Sequence, residues 1–190
     1  MWNFDTDKLF QDFSSIFTQG ESSSYNFEIP AGEDDILTSS VKESTETANV
    51  NHSGVQAELI IIDSADIEGP IVYGADGEEL LRQGFWLHPA TVYPGEQGIS
   101  VIFGHRRYHL PPAKDTFYNL DKAQIGDRIE IKLKDSTWLE YTVITIKIED
   151  PTNLETIVNE KTDRYILKLI TCHPLGTDQQ RLIVTAEKSF

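Results

Sequence analysis

The chain has 190 residues, 39% of them hydrophobic, with 31 acidic against 16 basic side chains and one cysteine. The formal charge of −15 argues against a nucleic-acid-binding protein, because phosphate contacts require clustered lysine and arginine. It argues equally against a basic patch that would bind anionic membranes. A single cysteine excludes an internal disulfide and any cysteine-rich zinc or iron–sulfur site.

The charge divides the chain into two parts. Residues 1–56 hold ten acidic and two basic side chains, a charge of −8, which leaves −7 for the other 134 residues. The first part predicts a short amphipathic helix, because apolar residues recur at helical spacing at Leu9, Phe10, Phe13, Ile16 and Phe17. The acidic, Ser- and Thr-rich stretch that follows predicts a disordered linker. We therefore expect an N-terminal extension over residues 1–56 and one folded domain over residues 57–190.

Two kinds of segment are missing from the sequence. No stretch approaches the ~18 consecutive apolar residues of a membrane helix, and the first residues lack the basic and apolar regions of a secretory signal. The protein is then either soluble and cytoplasmic or a chain trimmed of its membrane segment. The His, Asp and Glu residues show no metal-ligand spacing, so we expect no metal and no other cofactor.

The second part of the chain has the pattern of a β-protein. The predicted strands are residues 58–62, 71–73, 100–103, 128–134, 141–148, 165–171 and 181–186. Seven or eight short strands separated by turns predict an antiparallel sandwich or a closed barrel. Residues 78–83 predict one or two helical turns that end at Gly84.

Two of the predicted strands also predict which side chains are buried. In residues 128–134, Ile129, Ile131 and Leu133 alternate with charged side chains, which is the period of a half-buried strand. In residues 141–148 the same period predicts that three isoleucines share one face: Ile144, Ile146 and Ile148.

The single cysteine lies at the end of a predicted strand. Cys172 directly precedes His173 and Pro174, and because proline ends a strand we expect the thiol near the surface. A lone cysteine is more often a small buried core residue, but a core position is expected in mid-strand. Nucleophilic catalysis requires the thiolate, which a nearby positive charge stabilises. Cys172 is therefore a candidate nucleophile.

Two further residues could supply the groups that such a thiol needs. His105 follows a predicted strand and Gly104, so its imidazole could pair with a thiol at another strand end. Arg181 begins the last strand, nine residues after Cys172, so a hairpin could return its guanidinium to the thiol and stabilise an oxyanion. Each also has a common structural interpretation, as a loop histidine and as a strand-end arginine at the surface.

Three blocks of the sequence resemble the sortases, the cysteine transpeptidases of Gram-positive bacterial surfaces. The first is residues 94–106 (PGEQGISVIFGHR), which is similar to the segment around the essential histidine of the family. The second combines residues 117–120 (FYNL) with residues 125–127 (IGD). The third is residues 169–172 (LITC) followed by residues 181–184 (RLIV). The resemblance covers roughly residues 57–190.

The resemblance implies a fold and a mechanism. The fold would be all-β, a closed eight-stranded sortase-type β-barrel with short helices, with Cys172, His105 and Arg181 at one mouth. Cys172 would attack the carbonyl after the threonine of a C-terminal sorting signal similar to Leu-Pro-x-Thr-Gly and form a thioacyl intermediate. His105 would protonate the leaving amine and deprotonate the incoming one, and Arg181 would bind the substrate backbone and the oxyanion. Thr171 and His173, beside the nucleophile, are further candidate substrate-binding residues.

The resemblance also implies partners and a location. The substrates would be surface or pilin proteins that carry a sorting signal, and the acceptor would be an amine of peptidoglycan or of another pilin. No nucleic-acid partner is expected. Because the family normally begins with a membrane helix, we expect the protein at the extracellular face of the bacterial cell membrane, held by a segment absent from this chain. The short connection from Cys172 to Arg181 resembles sortase classes D and E. Class C also has a short connection, but that class usually carries an Asp-Pro-aromatic lid, a motif that residues 1–60 lack.

Two other functions fit the same residues. A cysteine peptidase would release the thioacyl intermediate to water, and an amine-dependent ligation product separates the two enzymes. A non-catalytic β-barrel that binds peptides would make Cys172 incidental, and it would bind peptide without forming a thioester.

Overall fold

The computed structural model describes residues 54–108 and 113–190, so the predicted N-terminal helix and nearly all of the predicted linker lie outside the described residues. The strands are β1 (Ala57–Ile62), β2 (Ile67–Tyr73), β3 (Phe85–Leu87), β4 (Gly98–Phe103), β5 (Arg128–Leu133), β6 (Trp138–Glu149), β7 (Tyr165–His173) and β8 (Gln180–Lys188). The described helices are α1 (Gly77–Leu81) and α2 (Leu154–Asn159). Short 3-10 turns cover Asp63–Ala65, Leu120–Lys122 and Pro151–Asn153.

The eight strands form one closed barrel. Their order is β1-β2-β3-β4-β7-β8-β6-β5, and β5 is hydrogen-bonded back to β1. Closure gives each of these eight strands a hydrogen-bonded neighbour on both sides, so none of them is an edge strand. The predicted closed eight-stranded barrel is confirmed. Two of its strand pairs, β2–β3 and β4–β7, are parallel, and the other pairs are antiparallel.

Apolar side chains form an inner and an outer cluster. The inner cluster fills the barrel with residues from all eight strands, among them Ile60, Ile71, Phe85, Ile102, Ile131, Tyr141, Leu169 and Val184. The outer cluster covers the outward face of β3, β4, β7 and β8, where α1 contributes Leu81 and α2 contributes Leu154 and Val158. Removing this apolar surface from water is the main favourable contribution to folding.

The two strands with a predicted buried face differ in outcome. In β5 the alternation is confirmed, because Ile129, Ile131 and Leu133 are all buried in the inner cluster. In β6 the prediction that Ile144, Ile146 and Ile148 share one face is wrong. A register shift between Val143 and Thr145 inserts an extra residue. Such a bulge reverses the inside–outside alternation, so Ile144 packs against the outer cluster and Ile146 against the inner one.

Of three short elements, the sequence predicted one and missed two. The predicted helical turns are confirmed as α1, which is shorter than expected and begins where the Asp76 carboxylate accepts a hydrogen bond from Glu79 N at 3.2 Å. Strand β3 was not predicted, because all three of its residues are buried and no alternation marks it. Helix α2 was not predicted either, since six residues give too few turns for a helical period.

Candidate active site

Cys172 and Arg181 face each other across the β7–β8 hairpin. They are direct register partners in this antiparallel pair, so their side chains project from the same face of the sheet. On the same alternation, Ile170 of β7 and Ile183 of β8 belong to the outer cluster. The thiol and the guanidinium therefore share the outward face of the barrel, at the end of β7.

His105 comes to the same place from the neighbouring strand. Strands β4 and β7 run parallel, with Phe103 opposite Ile170, so both strands end at the same mouth of the barrel. His105 lies two residues beyond Phe103 and Cys172 lies two residues beyond Ile170, so both follow the same point of the β4–β7 pair. The junction is held by two hydrogen bonds, from Gly104 N to Ile170 O at 3.2 Å and from the Thr171 hydroxyl to Gly104 O at 2.8 Å.

The backbone of residues 104–106 is closely packed against aromatic rings. A Cβ atom at Gly104 would lie 2.6 Å from Phe117 Cδ2 and 2.9 Å from Phe85 Cδ1, closer than a methyl group can approach. Phe117 N also donates a hydrogen bond to His105 O at 2.8 Å. The His105 ring stacks on Tyr108 with their centroids 5.0 Å apart and their planes 9° from parallel. Only glycine at position 104 allows this approach without a shift of the rings.

A shallow depression lies around the thiol. It is lined by Leu81, Phe103, Gly104, Ile170, Thr171, Cys172 and Arg181. The thiol is half-buried, and Arg181 is 1% exposed. Cys172 and Arg181 thus lie in one apolar-walled depression, and His105 adjoins it through Gly104.

The β7–β8 connection orients the Arg181 side chain. Its Nη1 donates to Asp178 O at 2.8 Å and to Gln180 O at 3.1 Å. Hydrogen bonds from the Thr152 hydroxyl and backbone lower the pKa of the Asp150 carboxyl, and the charge of Arg181 lowers it further. Arg181 and Cys172 line the same depression, and a positive charge there can stabilise a thiolate or an oxyanion.

Thr171 and His173 flank the thiol on β7, and strand alternation directs them away from the face that carries it. The Thr171 hydroxyl is buried and engaged with Gly104 O. His173 is half-buried, and within the described residues its Nδ1 has no hydrogen-bond partner. A substrate-binding role for these two residues stays a prediction.

A groove of about 260 Å³ lies farther along the outward face. Its floor includes Ile99, Ile166 and Ile183, and its walls include Lys168 and Glu160, which form an ion pair. Ile183 is the register partner of Ile170, so the groove and the depression around Cys172 are neighbours on the β7–β8 surface. The sequence analysis missed this groove, because its lining comes from β4, β6, β7, β8 and the region of α2.

His88 is a second histidine near the depression. It is 2% exposed and packs against Trp86 and against Phe103, a lining residue, with ring centroids 5.2 and 5.9 Å apart. Burial lowers the pKa of His88 to about 4. The ring is therefore neutral at physiological pH, as expected of a packing residue.

Residues 54–108 and 113–190 contain no group of three or more His, Cys, Asp or Glu side chains that could hold a metal ion. In the same residues, no helix has both the length and the apolar composition needed to cross a membrane.

Three solved structures are similar in fold and sequence. Sortase C1 of pilus island 1 of group B Streptococcus is 31% identical, with a TM-score of 0.62, over 70% of this chain and 64% of that one. Sortase C-1 from Actinomyces oris is 31% identical, with a TM-score of 0.61, over 72% and 74% of the two chains. A lid mutant of sortase A from Corynebacterium diphtheriae is 28% identical, with a TM-score of 0.62, over 72% and 71%.

The chain spans about two thirds of the length of the sortase C1 structure. No curated protein sequence matches it. The expected similarity to classes D and E stays a prediction, since these similar structures are titled sortase C and sortase A. A family model described as the Sortase domain matches residues 60–189. On that match and on the closed barrel, the chain belongs to the sortase family.

Proposed function

We propose that the protein is a cysteine transpeptidase that cleaves a C-terminal sorting signal after threonine and transfers the acyl group to an amine. The observation that carries the proposal is the direct pairing of Cys172 with Arg181 on the outward face of the barrel. His105 follows the end of β4 at the same mouth of the barrel. In acyl transfer through a thioester a thiol can act as the nucleophile and an imidazole as the acid–base group, and a guanidinium can stabilise the oxyanion.

The outward face of β7 supports a peptide substrate. Ile166, Lys168, Ile170 and Cys172 alternate along it, and the first two line the groove while the last two line the depression. From Ile166 to Cys172 the strand is about 20 Å long at roughly 3.3 Å per residue. An extended peptide of about six residues would therefore reach from the groove to the thiol, passing over the fully buried Ile170. A sorting pentapeptide has this size.

In the first half of the proposed reaction Cys172 is acylated. The thiolate attacks the carbonyl carbon of the substrate threonine, and the negative charge on the carbonyl oxygen is stabilised by Arg181. As the tetrahedral intermediate collapses, the carbon–nitrogen bond breaks, and the leaving amine takes a proton from the imidazolium of His105. The thioester of Cys172 and a neutral imidazole remain.

In the second half an amine replaces the thiol. The neutral imidazole of His105 accepts a proton from the incoming amine, whose nitrogen attacks the thioester carbonyl. The carbon–sulfur bond then breaks, and the thiolate and imidazolium are regenerated. The acceptor would be an amine of peptidoglycan or of a pilin, and the protein would act at the extracellular face of the cell membrane.

The match to the family model supports the proposed domain boundary. The family model begins at residue 60 and β1 begins at Ala57, which supports a catalytic domain over residues 57–190. The extension over residues 1–56 would then lie outside the catalytic barrel.

The test is incubation of the full chain with a panel of sorting-motif peptides, with and without triglycine, followed by mass spectrometry. We expect a thioester on Cys172 and a ligation product that requires triglycine. Cys172→Ala and the near-isosteric Cys172→Ser should form no thioester, and His105→Ala should lower turnover by at least ~100-fold. An adduct that persists in Cys172→Ala refutes the proposal.

The same assay separates the alternatives. Cleaved peptide that is independent of triglycine would identify a cysteine peptidase. Bound peptide without any thioester would identify a peptide-binding barrel.

A further inference from the structure

Three consecutive residues at the barrel mouth are each held by one segment, residues 116–123, which we call the brace. The Phe117 ring packs on Gly104, and Phe117 N donates to His105 O at 2.8 Å. Arg106 Nη2 lies 2.8 Å from Asp121 Oδ2. The backbone that carries His105 is therefore fixed on both sides and at its own carbonyl.

The brace is itself fixed to the barrel core. Phe117 and Leu120 are fully buried in the inner cluster, and Phe117 stacks on Phe85 of β3 with centroids 4.4 Å apart. Asp121 lies in the 3-10 turn that begins at Leu120. Its carboxylate is thus presented from a rigid position, although 51% of the side chain is exposed.

Arg106 is an unusual neighbour for His105, because it is a charged residue that is only 4% exposed. Among the described residues, its Nε and Nη1 are buried without a hydrogen-bond partner, and its ion pair there is with Asp121. A desolvated guanidinium gains most where a carboxylate can meet it. The position of Asp121 therefore fixes the position of the Arg106 side chain. Because Arg106 directly follows His105, this also fixes the direction of the backbone after His105.

We propose that Arg106 and Asp121 are positioning residues that hold His105 at the distance from Cys172 needed for proton transfer. This inference rests on the proposed function, since it assigns His105 the acid–base role. Arg106 and Asp121 are not among the residues that line the depression around Cys172. The ion pair acts through the backbone, because Arg106 is the residue that directly follows His105.

The test compares three variants of the full chain. Asp121→Asn removes the charge and keeps the shape, and Asp121→Glu restores the carboxylate on a longer side chain. Asp66→Asn is the matched control, because Asp66 forms an ion pair of 2.6 Å with Lys114 in which both side chains are more than half exposed. The measurements are kcat and KM for amine-dependent ligation of a sorting peptide, and the thermal midpoint of each variant.

For Asp121→Asn we expect kcat to fall by about 10-fold or more with KM changed less than about 2-fold, because misplacing a catalytic group slows the chemical step. Asp121→Glu should recover most of the lost kcat, and Asp66→Asn should match the wild type. The rate of alkylation of Cys172 by iodoacetamide, followed against pH, should shift in Asp121→Asn only, since that profile depends on the imidazole beside the thiol.

Three outcomes overturn the inference. The first is an unchanged kcat in Asp121→Asn. The second is a rise in KM alone, which would assign the pair to substrate binding. The third is a loss of kcat that parallels a loss in thermal midpoint and is not recovered by Asp121→Glu, with the alkylation profile unchanged. That result would mean that the ion pair only stabilises the fold. His105→Ala separates this inference from the proposed function, because normal turnover in that variant refutes the acid–base role itself.

Discussion

Arg181 is the direct cross-strand partner of Cys172, and its guanidinium donates to Asp178 O in the connection between their strands and to Gln180 O at the start of β8. The hairpin therefore fixes a permanent positive charge beside the thiol without any movement of the chain. Such preorganisation is what makes a charge effective in a transition state. The pairing gives the first of four predictions.

Replacing Arg181 by lysine should not preserve activity. The planar guanidinium donates to Asp178 O and Gln180 O through Nη1, and the Arg181 side chain lines the same depression as Cys172. A single ammonium cannot reproduce this planar set of donors. We expect both Arg181→Lys and Arg181→Ala to lower kcat/KM for thioester formation by at least ~100-fold. Arg82→Lys, at an exposed arginine paired with Glu78 and Glu79, is the control and should match the wild type. Full activity in Arg181→Lys would show that a positive charge at position 181 is sufficient for thioester formation.

Gly104→Ala should damage both the fold and the site. Its methyl group would lie 2.6 Å from the Phe117 ring, and relieving this overlap should cost about 1–3 kcal/mol of unfolding free energy. Gly126→Ala is the matched control, because a Cβ there meets no atom within 4 Å but its φ of +95° should cost about 1 kcal/mol. Urea unfolding should show both losses, and turnover well below the melting temperature should fall only for Gly104→Ala. Equal turnover in the two variants would contradict a role for this contact in placing His105.

The hydroxyl of Thr171 should matter for stability. Thr171→Val keeps the shape of the side chain but leaves Gly104 O without the donor at 2.8 Å, which should cost about 1–3 kcal/mol for a buried carbonyl. Thr171→Ser keeps the donor and should lose less. The measurement is the unfolding free energy in urea, together with KM for a sorting peptide. If Thr171→Val has normal stability and a raised KM, the residue binds substrate instead.

Burial of His88 should make stability depend on pH. Its folded pKa is about 4 against 6.5 for the ordinary side chain, so between these values the unfolded chain binds more protons. Stability should therefore be highest above pH 6.5 and should fall as the pH drops towards 4, by roughly 3 kcal/mol from this residue. In His88→Asn, whose Oδ1 can replace Nδ1 as acceptor for Ala90 N, the loss between about pH 7 and about pH 4.5 should be smaller. An identical loss in both proteins would exclude His88 as its source.

The sequence was most informative where a strand is regular and exposed on one face. Strand β5 shows this, because its charged and apolar residues alternate without interruption. The alternation of β6 was misleading beyond Val143, since a bulge depends on the register with β8 and leaves no mark in the sequence of β6 alone. Strand β3 lies wholly inside the fold and has no periodicity to detect.

The contacts of the candidate site also differ in whether the sequence could predict them. The pairing of Cys172 with Arg181 follows from a hairpin, which is a local structure, and could be predicted from spacing. The ion pair of Arg106 with Asp121 could not, because it joins two loops whose distance depends on the packing of Phe117 in the core. The FYNL block of residues 117–120 was the available signal, and its position against Gly104 and His105 is visible only in the fold.

The hydrogen bond between Thr171 and Gly104 joins positions 67 residues apart. Contacts between such distant positions require closure of a long loop, so they form slowly in comparison with hairpins. A chain that has not closed its barrel therefore carries the thiol without His105 beside it. Under the proposed mechanism, the enzyme is active only when the barrel is complete.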